Sequence, residues 1–417
     1  MDFYVNHLKS VLLPFWLCKS IDYEYGGYYT CFSNTGEELL SEDKYTWSQG
    51  RMVWVFSKLS EMSCFTNEER IKFLVYAKNG ADFLMLHCIM DNGNCTFLMD
   101  REGNPKYQDQ AMEYDTSIYA DCFVVLGISK YFAVSGDRNA MRFSQELYNS
   151  IISRLSKENL KTKPYPIPTG YKAHGIPMIM LCISQELALG LKKEENQSFV
   201  NVNAYADQCM NEIMNTFVGP SYLLFEMIET EGNKKSNHLY NRYINPGHTI
   251  EDMWFVIHQT QMNGNQIILE KAGQVVKKAF EVGWDKEYGG LLLFADSEGG
   301  MPQGETKGYE NDEMVRKIRE DWSNKLWWVH SEALYTSLLL YLTTKDDAYL
   351  DMYNKTFAYT INTFPNPDVD IGEWIQIRNQ KGIPIQKTIA LPVKDPFHII
   401  RNFALIIELL QKEVNSI

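Results

Sequence analysis

Histidine has the side-chain pKa nearest neutrality, so proton-transfer chemistry is sought first among the eight histidines of this chain. His248 stands in Asn245-Pro246-Gly247-His248-Thr249-Ile250-Glu251, where Pro and Gly end an irregular stretch and a helix starts beside the histidine. Glu251, three residues on, shares that helical face and is placed to accept the second imidazole N–H and fix its tautomer. An equally good account makes His248 a helix cap and Glu251 an ordinary first-turn acid. His398 occupies the matching place in Lys394-Asp395-Pro396-Phe397-His398, again at a Pro-marked helix start, with Arg401 one turn later. Two histidines on helix starts from different parts of the chain could face each other and serve both faces of one substrate atom.

Three further features carry possible chemistry. His330 and Glu332 form a cluster in Trp327-Trp328-Val329-His330-Ser331-Glu332, with Glu332 able to brace a histidine or bind a hydroxyl. Arg51 follows Trp47-Ser48-Gln49-Gly50 and enters the apolar run Met52 to Phe56, so it needs a partner, either a substrate oxygen or a buried carboxylate. The aromatic company suits the C–H faces of sugars, although aromatic stripes at helical spacing also build plain core. His7, His87, His238 and His258 read as structural or surface groups, and His174, in Ala173-His174-Gly175, stays open between the two readings. There is no H-x-x-x-H, H-E-x-x-H or Cys/His cluster, and no G-x-x-x-x-G-K-[ST] or G-x-G-x-x-G loop, so neither a metal nor a nucleotide cofactor is expected.

The elements that must position these residues follow a repeat carried by turns. Short aromatic and β-branched stretches run into polar turns that end in glycine, at Gly36, Gly103, Gly170, Gly232, Gly299 and Gly382. Successive positions differ by 67, 67, 62, 67 and 83 residues, which is one repeat length with a single longer final unit. Asp22-Tyr23-Glu24-Tyr25-Gly26-Gly27 is echoed by Asp285-Lys286-Glu287-Tyr288-Gly289-Gly290. Between the turns, helical spacing of apolar residues predicts helices over 2–18, 48–62, 67–90, 114–135, 137–158, 176–192, 200–217, 247–263, 265–283, 325–344, 347–364 and 396–415. Two helices per unit, uniform in length and without a polar capping unit, favour a closed all-α (α/α)6 barrel over an open solenoid, with short β-hairpins in the loops at one mouth. No linker divides the chain, so residues 1–417 are expected to form one catalytic domain.

Composition narrows the function. The chain is 45% hydrophobic and 13% aromatic, enough for a large core and a stacking-rich pocket. Its net charge of -13, without a run of Lys or Arg, would repel a polyanion, so no nucleic-acid partner is expected. No stretch of about 18 uninterrupted apolar residues occurs, so no membrane partner is expected. Residues Met1 to Ser20 lack a basic leader, and the eight cysteines carry no C-x-x-C pair. Both observations lead to the expectation of reduced thiols in a cytoplasm.

Several segments together resemble the N-acylglucosamine 2-epimerase family: Asp22 to Leu59, Gly175 to Met178, Asn245 to Phe255, Gly283 to Leu291, Lys325 to Ala333, and Gly372-Glu373-Trp374 through His398 to Arg401. The resemblance implies an (α/α)6 barrel and metal-independent interconversion of monosaccharides or small oligosaccharides that differ at C2. It implies catalytic roles for His248 and His398 and supporting roles for Arg51 and Glu332, with Glu251 beside His248. Tyr119, Trp327 and Trp328 look like the aromatic positions that line sugar sites in the family. By this analogy one histidine abstracts the C2 proton of an open-chain aldose, the other reprotonates the opposite face, and Arg51 polarises O1. The family also holds cellobiose 2-epimerases and mannose isomerases, so fold and proton chemistry transfer better than substrate does. Gln49-Gly50-Arg51 and Gly175-Ile176-Pro177-Met178 look closer to the N-acylglucosamine branch, whereas Leu391-Pro392-Val393-Lys394-Asp395 departs from its pattern. The rival readings are an aldose–ketose isomerase and a glycoside hydrolase pairing Asp115 or Asp121 with Glu332. Homodimers are common in such families.

Overall fold

Six helices are buried on nearly every side along most of their length, polar residues included, and they are covered by one another and by an outer layer. The structure is a computed structural model that describes residues 1–108, 112–156, 160–230 and 237–416. Among these residues the inner helices are Thr46–Glu61, Ile118–Ser135, Gly175–Lys193, Pro246–Asn263, Trp327–Thr344 and Phe397–Ser416. Each packs on the next, and the last returns to the first, so the ring closes. Outside them lie Asn67–His87, Arg138–Leu155, Phe199–Glu212, Gln266–Gly283 and Asp347–Thr363. The N-terminal helix, α-helical over Asp2–His7 and Leu13–Lys19 with a π turn at Leu8–Leu12, completes the outer layer against the last inner helix. This is the expected (α/α)6 barrel.

The inner helices Ile118–Ser135 and Gly175–Lys193 are long and apolar enough to cross a bilayer by length and composition, although polar residues interrupt each of them. Over half of each is buried in the barrel. The contact between Thr46–Glu61 and Ile118–Ser135 depends on two glycines. A Cβ on Gly50 would lie 2.1 Å from the Phe123 carbonyl oxygen, and one on Gly127 would lie 2.2 Å from that of Gly50. This close approach sets the position of Arg51, the next residue.

Antiparallel bridges close short hairpins around turn glycines, Phe32 with Leu39 about Gly36, Met99 with Pro105 about Gly103 and Arg378 with Pro384 about Gly382. Gly36, Gly103, Gly170, Gly299 and Gly382 all take the positive φ expected of them, and Gly232 lies outside the described residues. Two-residue or three-residue strands also tie the entry of an inner helix to the exit of its outer partner. Lys44–Tyr45 pairs with Leu98–Met99, Tyr171–Ala173 with Met227–Glu229, Tyr243–Ile244 with Ala295–Asp296, and Lys325–Leu326 with Ile377–Arg378. The predicted helix over 114–135 starts only at Ile118, because the backbone before it pairs with Phe97, Lys161 and Thr162. A helix not predicted from sequence, Glu313–Asp321, fills the longer final interval.

The echoed Asp-x-Glu-Tyr-Gly-Gly loops are structural staples. Asp22 Oδ1 accepts the backbone N–H groups of Glu24 and Tyr25, and Asp285 Oδ1 accepts those of Glu287 and Tyr288. The other oxygen of each receives a fully buried lysine, Lys44 at 3.0 Å and Lys325 at 2.9 Å. Removing one partner strands a buried charge, at a cost of about 3–5 kcal/mol. Lys325→Met is therefore expected to lower unfolding stability in urea by that order, and Lys325→Met/Asp285→Asn, which keeps the turn acceptor without the charge, to recover most of it.

Candidate active site

The first turns of all six inner helices line one cavity. They contribute Trp47, Ser48 and Arg51, then Tyr119, Gly175 and Met178, His248 and Glu251, Trp327 and Trp328, and finally His398 and Arg401. Helix N-termini carry partial positive charge, so six converging on one cavity favour a substrate that becomes anionic during reaction.

Trp328 lies between the two histidines, its ring centroid 5.3 Å from that of His248 and 5.5 Å from that of His398. Gly247 makes room for it, since a Cβ there would fall 2.6 Å from the indole. Each histidine turns Nδ1 to a carboxylate. His248 Nδ1 is 3.2 Å from Glu226 Oε2, and His398 Nδ1 is 2.7 Å from Glu332 Oε1. No hydrogen bond among the described residues reaches Nε2 of either, although both histidines line the cavity.

The expected pairing of Glu251 with His248 is corrected. Glu251 shares the helix but binds the Arg401 guanidinium and lies 3.7 Å from His398 Nδ1. Arg401 also holds Glu332 at 2.6 Å, and Trp254 Nε1 donates to Glu332 at 2.8 Å. Ligand atoms of Glu251, Glu332 and His398 lie within 4.8 Å of one another, close enough to hold a cation; the positive group bound to both carboxylates is Arg401. Arg51 reaches the cavity with its guanidinium bound to Asp395 and packed over Phe123, 4.1 Å from the ring centroid. The sequence left substrate oxygen and buried carboxylate open for Arg51, and the resident partner is the carboxylate.

Tyr119, Trp327 and Trp328 all line the cavity as expected. His330 does not join Glu332 behind His398, and neither of the two lines the cavity. His330 is fully buried, accepts the Leu291 N–H at Nε2 (2.9 Å) and donates from Nδ1 to the Leu326 carbonyl (2.7 Å). Neither carboxylate of the hydrolase reading reaches the cavity, which corrects that alternative. Asp115 binds Lys161 and Asn94, while Asp121 is buried against Arg154 and the Cys95 N–H. His7 accepts from Trp374 Nε1, His87 packs on Phe83, His258 bonds Tyr335 and His238 bonds Tyr171, so these four are structural.

Glu226, Asp395, Tyr165 and Asp252 were missed in the sequence. Glu226 precedes a three-residue strand, and nothing in Leu-Leu-Phe-Glu-Met-Ile-Glu separates it from Glu229. Asp395 stood inside the quoted Lys394-Asp395-Pro396-Phe397-His398 motif, and an unpartnered Arg51 was the signal that called for it.

The sequence profile of a family described as N-acylglucosamine 2-epimerase (GlcNAc 2-epimerase) matches residues 27–401. The N-acylglucosamine 2-epimerase of Bos taurus is 27% identical over 405 residues, covering 96% of this chain and 88% of that protein. The cellobiose 2-epimerase of Dictyoglomus turgidum is 23% identical over 411 residues, covering 94% of each. The solved structure of a cellobiose 2-epimerase from Bacillus thermoamylovorans superposes with a TM-score of 0.75 at 18% identity, covering 98% of this chain and 100% of that one, and so shares the fold.

Electrostatics fix the charge of the two bracing carboxylates. Burial alone would raise Glu226, but the facing His248 and His174 outweigh it and hold the group down at about 2. Burial likewise opposes ionisation of Glu332, and Arg401 with His398 overcomes it and lowers this pKa also. A carboxyl depressed on folding contributes stability that is complete above its ordinary value of 4.5 and is lost as pH falls through the folded value. Urea midpoints of the wild type should therefore fall between pH 4.5 and about 2, and Glu226→Gln should flatten that fall while lowering the plateau at neutral pH.

Proposed function

This chain belongs to the N-acylglucosamine 2-epimerase family, sugar 2-epimerases of the isomerase class, and we propose that its own reaction inverts C2 of an N-acylhexosamine through His248 and His398. The observation that carries this reading is the pair of histidines on either side of Trp328, each with Nδ1 held by its own carboxylate. Such bracing leaves Nε2 as the atom that exchanges a proton with a substrate in the cavity.

The C2–H of an open-chain aldose is weakly acidic because the C1 carbonyl accepts the electron pair. One Nε2 removes this proton, a C1–C2 double bond forms, and negative charge collects on O1. Arg51 and the helix N-termini stabilise that oxygen. The second imidazole, protonated beforehand, delivers its proton to the opposite face of C2, and the carbonyl re-forms. The protonation states of the two histidines are then reversed, and solvent restores them. Met178, Met227, Phe294 and Leu391 give the cavity an apolar wall suited to an acyl methyl group. An N-acyl group at C2 also forbids collapse to a ketose, because the intermediate is then an enolate that carries nitrogen, not oxygen, on C2.

Incubation with N-acetylmannosamine in D2O is expected to give N-acetylglucosamine with deuterium at C2, read by NMR. His248→Ala and His398→Ala should each slow turnover by roughly 10²–10⁴-fold, the usual worth of a general acid or base. Near-normal turnover in either variant, or ketose formation from mannose with N-acetylmannosamine inert, overturns the assignment.

A further inference from the structure

Behind His248 lies a group that the reaction as described does not use. His174 immediately precedes the inner helix Gly175–Lys193 and is completely buried, yet both its ring nitrogens face carboxylates. Nε2 is hydrogen-bonded to Asp252 Oδ2 at 2.8 Å, and Nδ1 faces Glu226 Oε1 at 3.5 Å, an ion-pair distance at which neither of these last two atoms has a hydrogen-bond partner among the described residues. A neutral imidazole has one N–H and one lone pair, so it would turn a lone pair toward one of these oxygens. Only the doubly protonated ring presents an N–H to both. The other oxygen of Glu226 is the one that meets His248.

The same plan stands on the other side of Trp328. Arg401 binds Glu332 and Glu251, and Glu332 meets His398. Each side thus holds one basic side chain, two carboxylates and one cavity-facing histidine. We propose that His174 is a fixed cation and a positioning residue for His248, holding Glu226 and Asp252 as Arg401 holds Glu332 and Glu251. Its importance for turnover rests on the two-histidine reading above, whereas its charge does not.

The surroundings agree with a permanent charge. The charged groups facing His174 are Asp252, from the helix Pro246–Asn263, and Glu226, from the strand segment; the Phe217 ring covers it at 5.7 Å. Burial would lower its pKa, but these two acids push it up to about 10. Around His248 stand Glu226, the Tyr165 ring at 6.4 Å, Trp328, and Asn245, which accepts its backbone N–H. Without the His174 charge, His248 would face a carboxylate no longer neutralised from behind and would hold its own proton more tightly.

Two measurements test this. In protein labelled with 15N-histidine, the His174 ring is expected to stay doubly protonated from pH 6 to 8.5, and in Glu226→Gln its titration should drop by on the order of one pH unit or more. A neutral His174 ring at pH 7 in the wild type overturns the proposal, and that spectrum requires neither substrate nor a variant. His174→Asn should lower kcat/KM and move one limb of its pH profile to higher pH by about one unit. A lowered rate with both limbs unmoved assigns His174 a merely structural role and also overturns the proposal. Should His248→Ala retain turnover, the functional reading fails while the charge of His174 is still read from the spectrum.

Discussion

Closing six inner helices into a ring forces their N-terminal ends to share one space, and most of the site follows from that constraint. Side chains in the first turn of a helix lie within reach of the neighbouring first turns, so residues far apart in sequence become contacts. Glu251 meets Arg401 and Glu332 meets His398 because their helices are neighbours or face one another around the ring, not because of any local motif. The approach is fixed by backbone as well as by side chains. Gly50 and Gly127 bring two inner helices to near contact, and Gly247 gives Trp328 the space to lie between the histidines.

A ring packed this tightly buries charge, and each buried charge is answered by a partner. Lys44 and Lys325 are held by Asp22 and Asp285, and Lys394 by Glu373 at 2.6 Å. The first two pairs join loops to the strands that lead into inner helices, and the third holds the segment just before the last inner helix, so they set helix starts that carry the site. The energetic logic is one-sided: a buried pair adds little over a well-packed apolar pair, but losing one member is costly. Such pairs therefore define a geometry more than they strengthen the fold. Around the cavity the same logic holds the histidine-bearing turns, with Arg401 and His174 as the cations.

The barrel was legible in the sequence because glycine turns and helical periodicity are local signals. Five of the six turn glycines take positive φ in the structure, and the helix pairs fall near their expected bounds. His248 and His398 were legible for the same reason, since Pro and Gly mark the helix starts on which they sit. Partnerships across the ring were not legible. The i, i+3 spacing of His248 and Glu251 places them on one face, but a guanidinium from another helix binds Glu251 more strongly than a neutral imidazole would. His330 illustrates the opposite error, because its neighbourhood in sequence contains Glu332 while its ring points to the backbone of Leu326 and Leu291. Glu226 lay in a loop-and-strand segment with no periodicity to single it out.

The likeness of the two histidine surroundings bears on the kind of reaction they suit. Where one carboxyl or imidazole must always be the acid and another always the base, a protein places them in unlike surroundings so that their proton affinities separate. Inversion at a single carbon has a different requirement. On the two-histidine proposal, the group that removes the proton from one epimer returns it when the other epimer reacts, so each histidine would work in both states. Behind His248 and behind His398 alike stand one basic side chain and two carboxylates, so their surroundings are of one kind and not two. The symmetry comes from different residue types, an imidazole on one side and a guanidinium on the other. It therefore reflects a balance of charge around the two histidines rather than a repeated sequence motif.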